Sequence, residues 1–187
     1  MNTSRSPLTL ELALLAFLQD GPQHGYAIYR RLQACRRAGL VWQVKQSLLY
    51  AMLARLETEA YIASHVEAQG GGPPRKLMCL LPAGEVAYRR WLQTPVRFGR
   101  EFRLEFLTKL FFAQRDGAST VQVLLATQRT VSQAEHARLQ AARQGGEPPS
   151  PYAALVLDFR SGQMKAILDW LDRCEQAMEA TEPCCGA

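Results

Sequence analysis

The sequence has few of the residues on which catalysis and metal binding depend. It contains three histidines, which are scattered, and five cysteines with no CxxC pair: Cys35, Cys79, Cys174, Cys184 and Cys185. No histidine stands at zinc-ligand spacing from a cysteine, so neither a structural zinc site nor a disulfide framework is expected. A Ser/His/Asp group, a phosphate-cradling GxxxxGK motif and a paired-carboxylate motif are also missing. We therefore expect no enzyme activity, no cofactor and no metal.

Long apolar runs are missing as well. No stretch approaches the roughly 20 apolar residues of a membrane-spanning helix, and the N-terminal MNTSRSPL lacks the apolar core of a secretory signal. A cytoplasmic location with no membrane partner is expected. At 187 residues and 48% hydrophobic, the chain can bury one large or two small cores.

Excess positive charge is confined to one half of the chain. Residues 1–92 hold 11 Lys and Arg against 6 Asp and Glu, a balance of +5, while residues 93–187 hold 11 of each sign and balance to zero. A basic segment beside a neutral one suggests that the first meets a polyanion, because neutralising phosphates supplies much of the affinity for nucleic acid.

Hydrophobic spacing in the basic half predicts three helices and a hairpin. The first helix is apolar and follows Pro7 as far as Gly21-Pro22, the second runs from Tyr26 to near Gly39, and the third starts near Ser47 as its N-cap. Strands are predicted at residues 61–68 and 75–81, joined by a glycine- and proline-rich tip at residues 70–74. Pro82 opens a fourth helix that ends near Gln93.

The neutral half has a wholly helical pattern. Helices are predicted at residues 102–114, 120–143 and 152–180, with a linker rich in glycine and proline between the last two. Long helices of this kind owe most of their stability to packing of their apolar faces. The fold class is therefore mainly α with a small β-hairpin: a winged helix-turn-helix domain at residues 1–95 and a helical dimerisation domain at residues 96–187, with a disordered tail from about residue 181.

Several motifs resemble the PadR family of bacterial regulators. The resemblance lies in the apolar run at residues 14–18, the turn GPQHGYAI at residues 21–28, the helix LYAMLARLE at residues 49–57, and the segments PRKL at 74–77 and LPAG at 81–84. Residues 102–112 and 164–171 resemble the helical C-terminal domain of the virulence-activator-type branch. The family commonly has Gly and then Ser or Thr before the Leu-Tyr pair and Pro after it, where this sequence has Ser47, Leu48 and Ala51.

The resemblance implies a homodimer that binds double-stranded DNA at a pseudo-palindromic operator and represses transcription, often until a small hydrophobic effector relieves it. Small and apolar side chains on the third helix suit a major groove, and cations at the hairpin suit phosphate or a minor groove. The DNA-binding residues expected are Tyr26, Lys45, Gln46, Ser47, Leu48, Tyr50, Ala51, Arg55, Arg75 and Lys76.

Apolar and aromatic residues of the second half are expected to hold the dimer together, as in obligate interfaces. They are Phe102, Phe106, Leu110, Phe159, Leu168, Trp170 and Leu171. Trp91, which stands just before the domain junction, is the residue expected to line an effector pocket. His24 and Gln23 are expected to cap the second helix. Cys35, Cys79 and Cys174 fall in periodic segments, which is typical of small buried hydrophobic residues.

Two other functions remain open at this stage. The modest charge and the departures on the third helix leave room for a protein-interaction co-activator with weak DNA binding. Cys184 and Cys185 leave room for a regulator that responds to thiol chemistry or a metal.

Overall fold

A computed structural model describes residues 10–67, 75–145 and 150–179, and the positions outside these ranges include the hairpin tip, the start and the end of the chain. The chain divides into two compact units. The first unit comprises residues 1–92 together with Leu107–Phe112, and the second comprises Gln93–Phe106 and residues 113–187. Each unit is described below on its own.

The first unit begins with an apolar helical segment. Leu10–Leu18 forms a 3₁₀ helix in which every residue from Leu12 to Leu18 is buried. Its end is marked by Gly21, whose φ of +123° suits a residue without Cβ. The sequence predicted this buried helix, whereas its expected start at Pro7 lies outside the described residues.

Helices α1 (Gly25–Arg37) and α2 (Gln46–Thr58) follow. Helix α3 (Pro82–Gln93) lies at the end of the continuous stretch of chain, residues 1–92, that belongs to the first unit. The expected N-cap of α2 was wrong by two residues. Lys45 occupies that position with extended backbone, and Ser47 already lies in the first turn of the helix.

A three-stranded antiparallel sheet completes the first unit. Strands β2 (Ile62–Glu67) and β3 (Arg75–Leu80) pair from Ile62 opposite Leu80 to Glu67 opposite Arg75. The predicted hairpin is therefore confirmed. The sequence did not predict β1 (Gln23–His24), which pairs with the other edge of β3 and gives the order β1-β3-β2.

In the second unit, the helical stretch after the turn at Phe98 changes its winding. It consists of α4 (Gly99–Glu101), a π-helical stretch (Phe102–Phe106) and α5 (Leu107–Asp116), whose residues up to Phe112 group with the first unit. The stacked rings of Phe102 and Phe106 lie 4.4 Å apart, and both meet the edge of Trp170 at about 6 Å. This aromatic cluster forms a core within a single chain.

Two long antiparallel helices make up most of the second unit. Helix α6 (Ala118–Gln144) packs on α7 (Pro151–Glu179). Arg129 of α6 bridges to Asp172 and, at 2.6 Å, to Glu175 of α7. The buried side chain of Gln128 bonds both the N–H and the carbonyl of Val96, which fixes the segment before α4 onto α6.

The fold class expected from the sequence is confirmed: the protein is mainly helical with a small hairpin, and its first unit has the helix-turn-helix and wing. Across the described ranges, no helix combines the length and apolarity that crossing a bilayer requires.

Candidate nucleic-acid interface

One side of α2 is buried and the other is exposed. Leu49, Leu53 and Leu56 are almost completely buried, as their spacing predicts. The opposite side consists of exposed residues, which are Lys45, Gln46, Ser47, Leu48, Tyr50, Ala51 and Ala54. Leu48 is 49% exposed and Tyr50 is 42% exposed. This surface contains one cation, no carboxylate and two large apolar side chains.

Tyr50 and Tyr26 meet beside the first turn of α1. They line a groove of about 530 Å3 together with His24, Gly25 and Lys76. A Cβ atom added at Gly25 would lie 2.6 Å from Cε1 of Tyr50, so a side chain at position 25 would force the ring to shift. Tyr26 is largely exposed. The groove thus brings together two predicted DNA-binding residues of different helices and one of the hairpin.

His24 does not cap α1 as the sequence suggested. Its side chain makes no capping hydrogen bond, and its Nδ1 instead lies 3.0 Å from the carbonyl oxygen of Lys76 on β3. This bond adds a side-chain contact to the backbone pairing of β1 with β3. The first residues of α1, Gly25 to Ala27, line the groove, and the side chain of His24 does not cap their amides.

Arg55 is placed differently from the other predicted residues of α2. Its guanidinium is half-buried and donates to the carboxylate of Glu11, on the first helical segment, at 2.9 Å. The side chain therefore joins two elements of the first unit, whereas the sequence suggested a free contact to bases or phosphate.

Glu57 links the end of α2 to the hairpin. Its carboxylate accepts a short hydrogen bond from Ser64 of β2 and one of 3.3 Å from Lys76 of β3. The Ser64 bond, followed by the Lys76 bond and charge, lowers the pKa of Glu57 despite partial burial. Lys76 is exposed and stands at the hairpin edge, whereas the side chain of Arg75 lies outside the described residues.

The residues predicted for dimerisation fall into two groups. Phe102, Phe106 and Leu171 are buried within their own chain, while Leu110, Leu168 and Trp170 are half-buried. The prediction that all seven face a partner was therefore wrong for the first three. Only Phe159 has a large exposed surface, 69%. Tyr152 and Leu155, which the sequence analysis missed, are even more exposed and precede it on α7 by seven and four residues.

Trp91 is a core residue of the first unit. Its ring lies 6.1 Å from Tyr88 and 5.3 Å from the buried ammonium of Lys109. Its indole nitrogen is buried with no hydrogen-bond partner among the described residues.

The described cysteines, Cys35, Cys79 and Cys174, are partly exposed, not fully buried as the sequence suggested. Burial raises the pKa of the Cys174 thiol. Within the described residues no group of three metal-ligating side chains occurs, and Cys184 and Cys185 lie outside them.

Comparison with known proteins adds to this geometry. The first unit has the fold of a winged helix-turn-helix protein. The model of the PadR-like transcriptional regulator family matches residues 14–90, and that of the virulence activator alpha C-terminal domain matches residues 102–179. Residues 14–90 therefore form a PadR-like domain, the domain of a family of transcriptional regulators, and a virulence-activator-type C-terminal domain follows it.

Individual relatives are distant. The negative transcriptional regulator PadR of Bacillus subtilis (strain 168) is 27% identical over 103 residues, which is 55% of this chain and 56% of the relative. The match thus spans about half of that relative's length. The crystal structure of Bacillus subtilis PadR in complex with operator DNA is 24% identical, covers 88% of this chain and 97% of that chain, and has a TM-score of 0.44. The structure of a PadR family regulator from Eggerthella lenta DSM 2243 is 27% identical and has a TM-score of 0.38. The match covers 43% of this chain and 66% of that chain.

Proposed function

We propose that the protein is a homodimeric repressor that inserts α2 of each protomer into the major groove of a pseudo-palindromic operator. The observation that carries the proposal is the exposed side of α2. A solvent-facing helix surface normally bears charges of both signs, but this one has no carboxylate and exposes Leu48 and Tyr50. Such a surface fits against base edges and thymine methyl groups, and it does not repel phosphate.

The groove beside α2 supports a phosphate contact. The first backbone N–H groups of α1 point out of the N-terminal end of the helix. The helix dipole favours an anion at that end. Tyr26, Tyr50 and Lys76 line the same groove. In this proposal the helix start and Lys76 fix the register of α2 on the backbone, and Arg75 adds a second cation at the wing.

The exposed face of α7 supports the homodimer. Tyr152, Leu155 and Phe159 are spaced by three and four residues, so they lie on one side of the helix. Contiguous exposed apolar side chains mark interaction surfaces, and a second copy of the same helix would bury these three. Two copies of α2 then reach two half-sites together.

Repression and its relief by an effector complete the proposal. The curated relative is named a negative regulator. Trp91 remains the sequence-based candidate for the effector, and its unpartnered buried indole nitrogen is a donor that an effector could engage.

Selection of bound DNA from a random pool followed by gel shifts tests the DNA-binding role. Ala51→Glu places bulk and negative charge on the exposed side of α2 and leaves the buried leucines in place. We expect specific binding to weaken by about 1–3 kcal/mol or more. Ala142→Glu, at an exposed position of α6, is the control for the added charge.

Circular dichroism establishes that each variant is folded, with Leu53→Glu as a misfolded reference. If folded Ala51→Glu binds its selected sequence as tightly as the wild type, α2 does not contact the bases. The protein would then be better described as a protein-interaction co-activator.

A further inference from the structure

A recess in the second unit collects three arginine side chains. It lies where the turn before α4 meets α6 and α7, and its volume is about 250 Å3. The residues that matter here are Arg97, Phe98, Arg100, Leu139, Arg160 and Met164. Pockets for drug-sized ligands have about 300–1,000 Å3. The recess therefore suits a smaller organic molecule.

One carboxylate, Glu135, lies in the recess and is already engaged. It accepts hydrogen bonds from Arg138 at 2.7 and 2.9 Å and from Arg160 at 3.1 Å. The bond from Arg138 is the main reason why the pKa of Glu135 is lowered, and the charges of Arg138 and Arg160 add to it. Glu135 thus stays ionised and is held by one arginine of its own helix α6, Arg138, and one of α7, Arg160.

A second carboxylate, that of Glu101, is hydrogen-bonded by backbone N–H groups. It accepts the N–H groups of Arg97 and Phe98, both at 3.1 Å. The charged residues that line the recess are three arginines (97, 100 and 160) and one glutamate (135), so the balance is 3 minus 1, or +2. In the ranges described, neither the Arg97 nor the Arg100 guanidinium forms an ion pair.

Apolar groups lie beside these cations. The guanidinium carbon of Arg100 lies 4.9 Å from the centre of the Phe98 ring, a cation–π contact that orients the side chain. Leu139 and Met164, both buried, provide an apolar wall. Two guanidinium groups beside an apolar wall are complementary to a molecule with an anionic end and an apolar body.

We propose that this recess binds a small amphipathic carboxylate. Arg97 and Arg100 would receive the carboxylate, because the planar guanidinium group matches it with paired hydrogen bonds. Phe98, Leu139 and Met164 would contact the apolar body. The site is distinct from Trp91 and does not depend on the proposed binding of DNA.

Titration with hexanoate and cyclohexanecarboxylate tests this site, with hexanamide and cyclohexanecarboxamide as neutral controls of the same shape. Saturation-transfer NMR on the full chain detects even weak binding. We expect both carboxylates to bind and their amides to bind at least about tenfold more weakly, since a hydrogen bond to a charged group contributes about 1.5–3 kcal/mol. Equal binding of acid and amide would overturn the proposal.

Variants of the full chain locate the binding. Arg97→Ala/Arg100→Ala should weaken carboxylate binding about tenfold or more, while Arg103→Ala, an exposed arginine outside the recess, should leave it unchanged. Unaltered binding in the double variant, or an equal loss in Arg103→Ala, would also overturn the proposal. Gel shifts of the same variants without ligand should match the wild type, so failure of this site and failure of DNA binding are seen separately.

Discussion

Cε1 of Tyr50 would lie only 2.6 Å from a Cβ atom at position 25, so the contact between Gly25 and Tyr50 depends on the absence of a side chain on Gly25. Gly25 begins α1 and Tyr50 lies in α2. Because the ring of Tyr50 is 42% exposed, an added methyl group would turn it away from α1 towards solvent. The contact lies in the groove proposed for DNA phosphate, so this shift would move a side chain that lines the groove.

Gly25→Ala is predicted to displace Tyr50 and weaken DNA binding. A steric origin can be isolated with a double-mutant cycle. Gly25→Ala should lower the free energy of unfolding in the wild type by about 1 kcal/mol, the lower end of the cost of overpacking because the exposed ring can turn aside, and much less in a Tyr50→Ala background. Urea unfolding of the four proteins measures the coupling. Additive effects of the two substitutions would show that the ring does not obstruct residue 25.

Arg55 is predicted to stabilise the first unit and not to select bases. Arg55→Met retains the hydrocarbon part but removes the charged contact with Glu11. We expect a loss of about 1 kcal/mol or less, because the pair is partly solvated, and a similar loss for Glu11→Gln. DNA sequences selected by Arg55→Met should be the same as those of the wild type. A changed preference at one base pair would instead assign Arg55 to base recognition.

Glu57 is predicted to restrain the wing and to give stability that depends on pH. Its pKa is lowered in the folded protein, so its stabilising contribution is present above the unfolded value of about 4.3 and is lost as the pH falls through the lower, folded value. The melting temperatures of the wild type and Glu57→Gln should therefore converge in acid.

The same substitution also releases Lys76 from its 3.3 Å contact and removes one negative charge. Glu57→Gln should consequently bind all DNA sequences more tightly at low salt, whereas Lys76→Ala should bind more weakly and reduce the salt slope by about 1. Weaker binding by folded Glu57→Gln would mean that the Glu57 bonds hold Lys76 in its DNA-binding position.

Local spacing predicted much of this fold because it reflects burial directly. The leucines of α2 are buried at the positions that a helical period requires, and β2 and β3 occupy the segments predicted for them. Long-range partners could not be obtained in this way. Strand β1 exists because Gln23 and His24 meet β3 more than 50 residues later, and the pairing of Arg55 with Glu11 spans 44 residues.

The aromatic residues of the second half show the same limit. Periodicity identifies an apolar face, but it does not distinguish a surface buried in the same chain from one that awaits a partner. Phe106 and Phe159 are equally apolar, yet Phe106 is packed on Trp170 and Phe159 is exposed. Only the three-dimensional arrangement separates them.

This distinction gives a prediction for the dimer. Phe159→Glu should convert the protein into a monomer with little change in helix content, because the side chain is exposed within its own chain and a charge there would be buried in the interface. Phe106→Ala is the contrasting variant, since Phe106 is completely buried in its own chain. It should reduce stability by about 3–5 kcal/mol through loss of the aromatic cluster without a specific effect on association. Sedimentation equilibrium and thermal unfolding measure the two effects.

Point variants are preferable to truncation here, because Leu107–Phe112 groups with the first unit and a shortened chain would lack it. Folded Phe159→Glu should also lose most affinity for a two-half-site operator, while its affinity for a single half-site changes little, because two tethered α2 helices gain affinity through effective concentration. A tight dimer of Phe159→Glu would contradict the assignment of this α7 face to the interface. Its Tyr152, Leu155 and Phe159 side chains would then be available to a different protein.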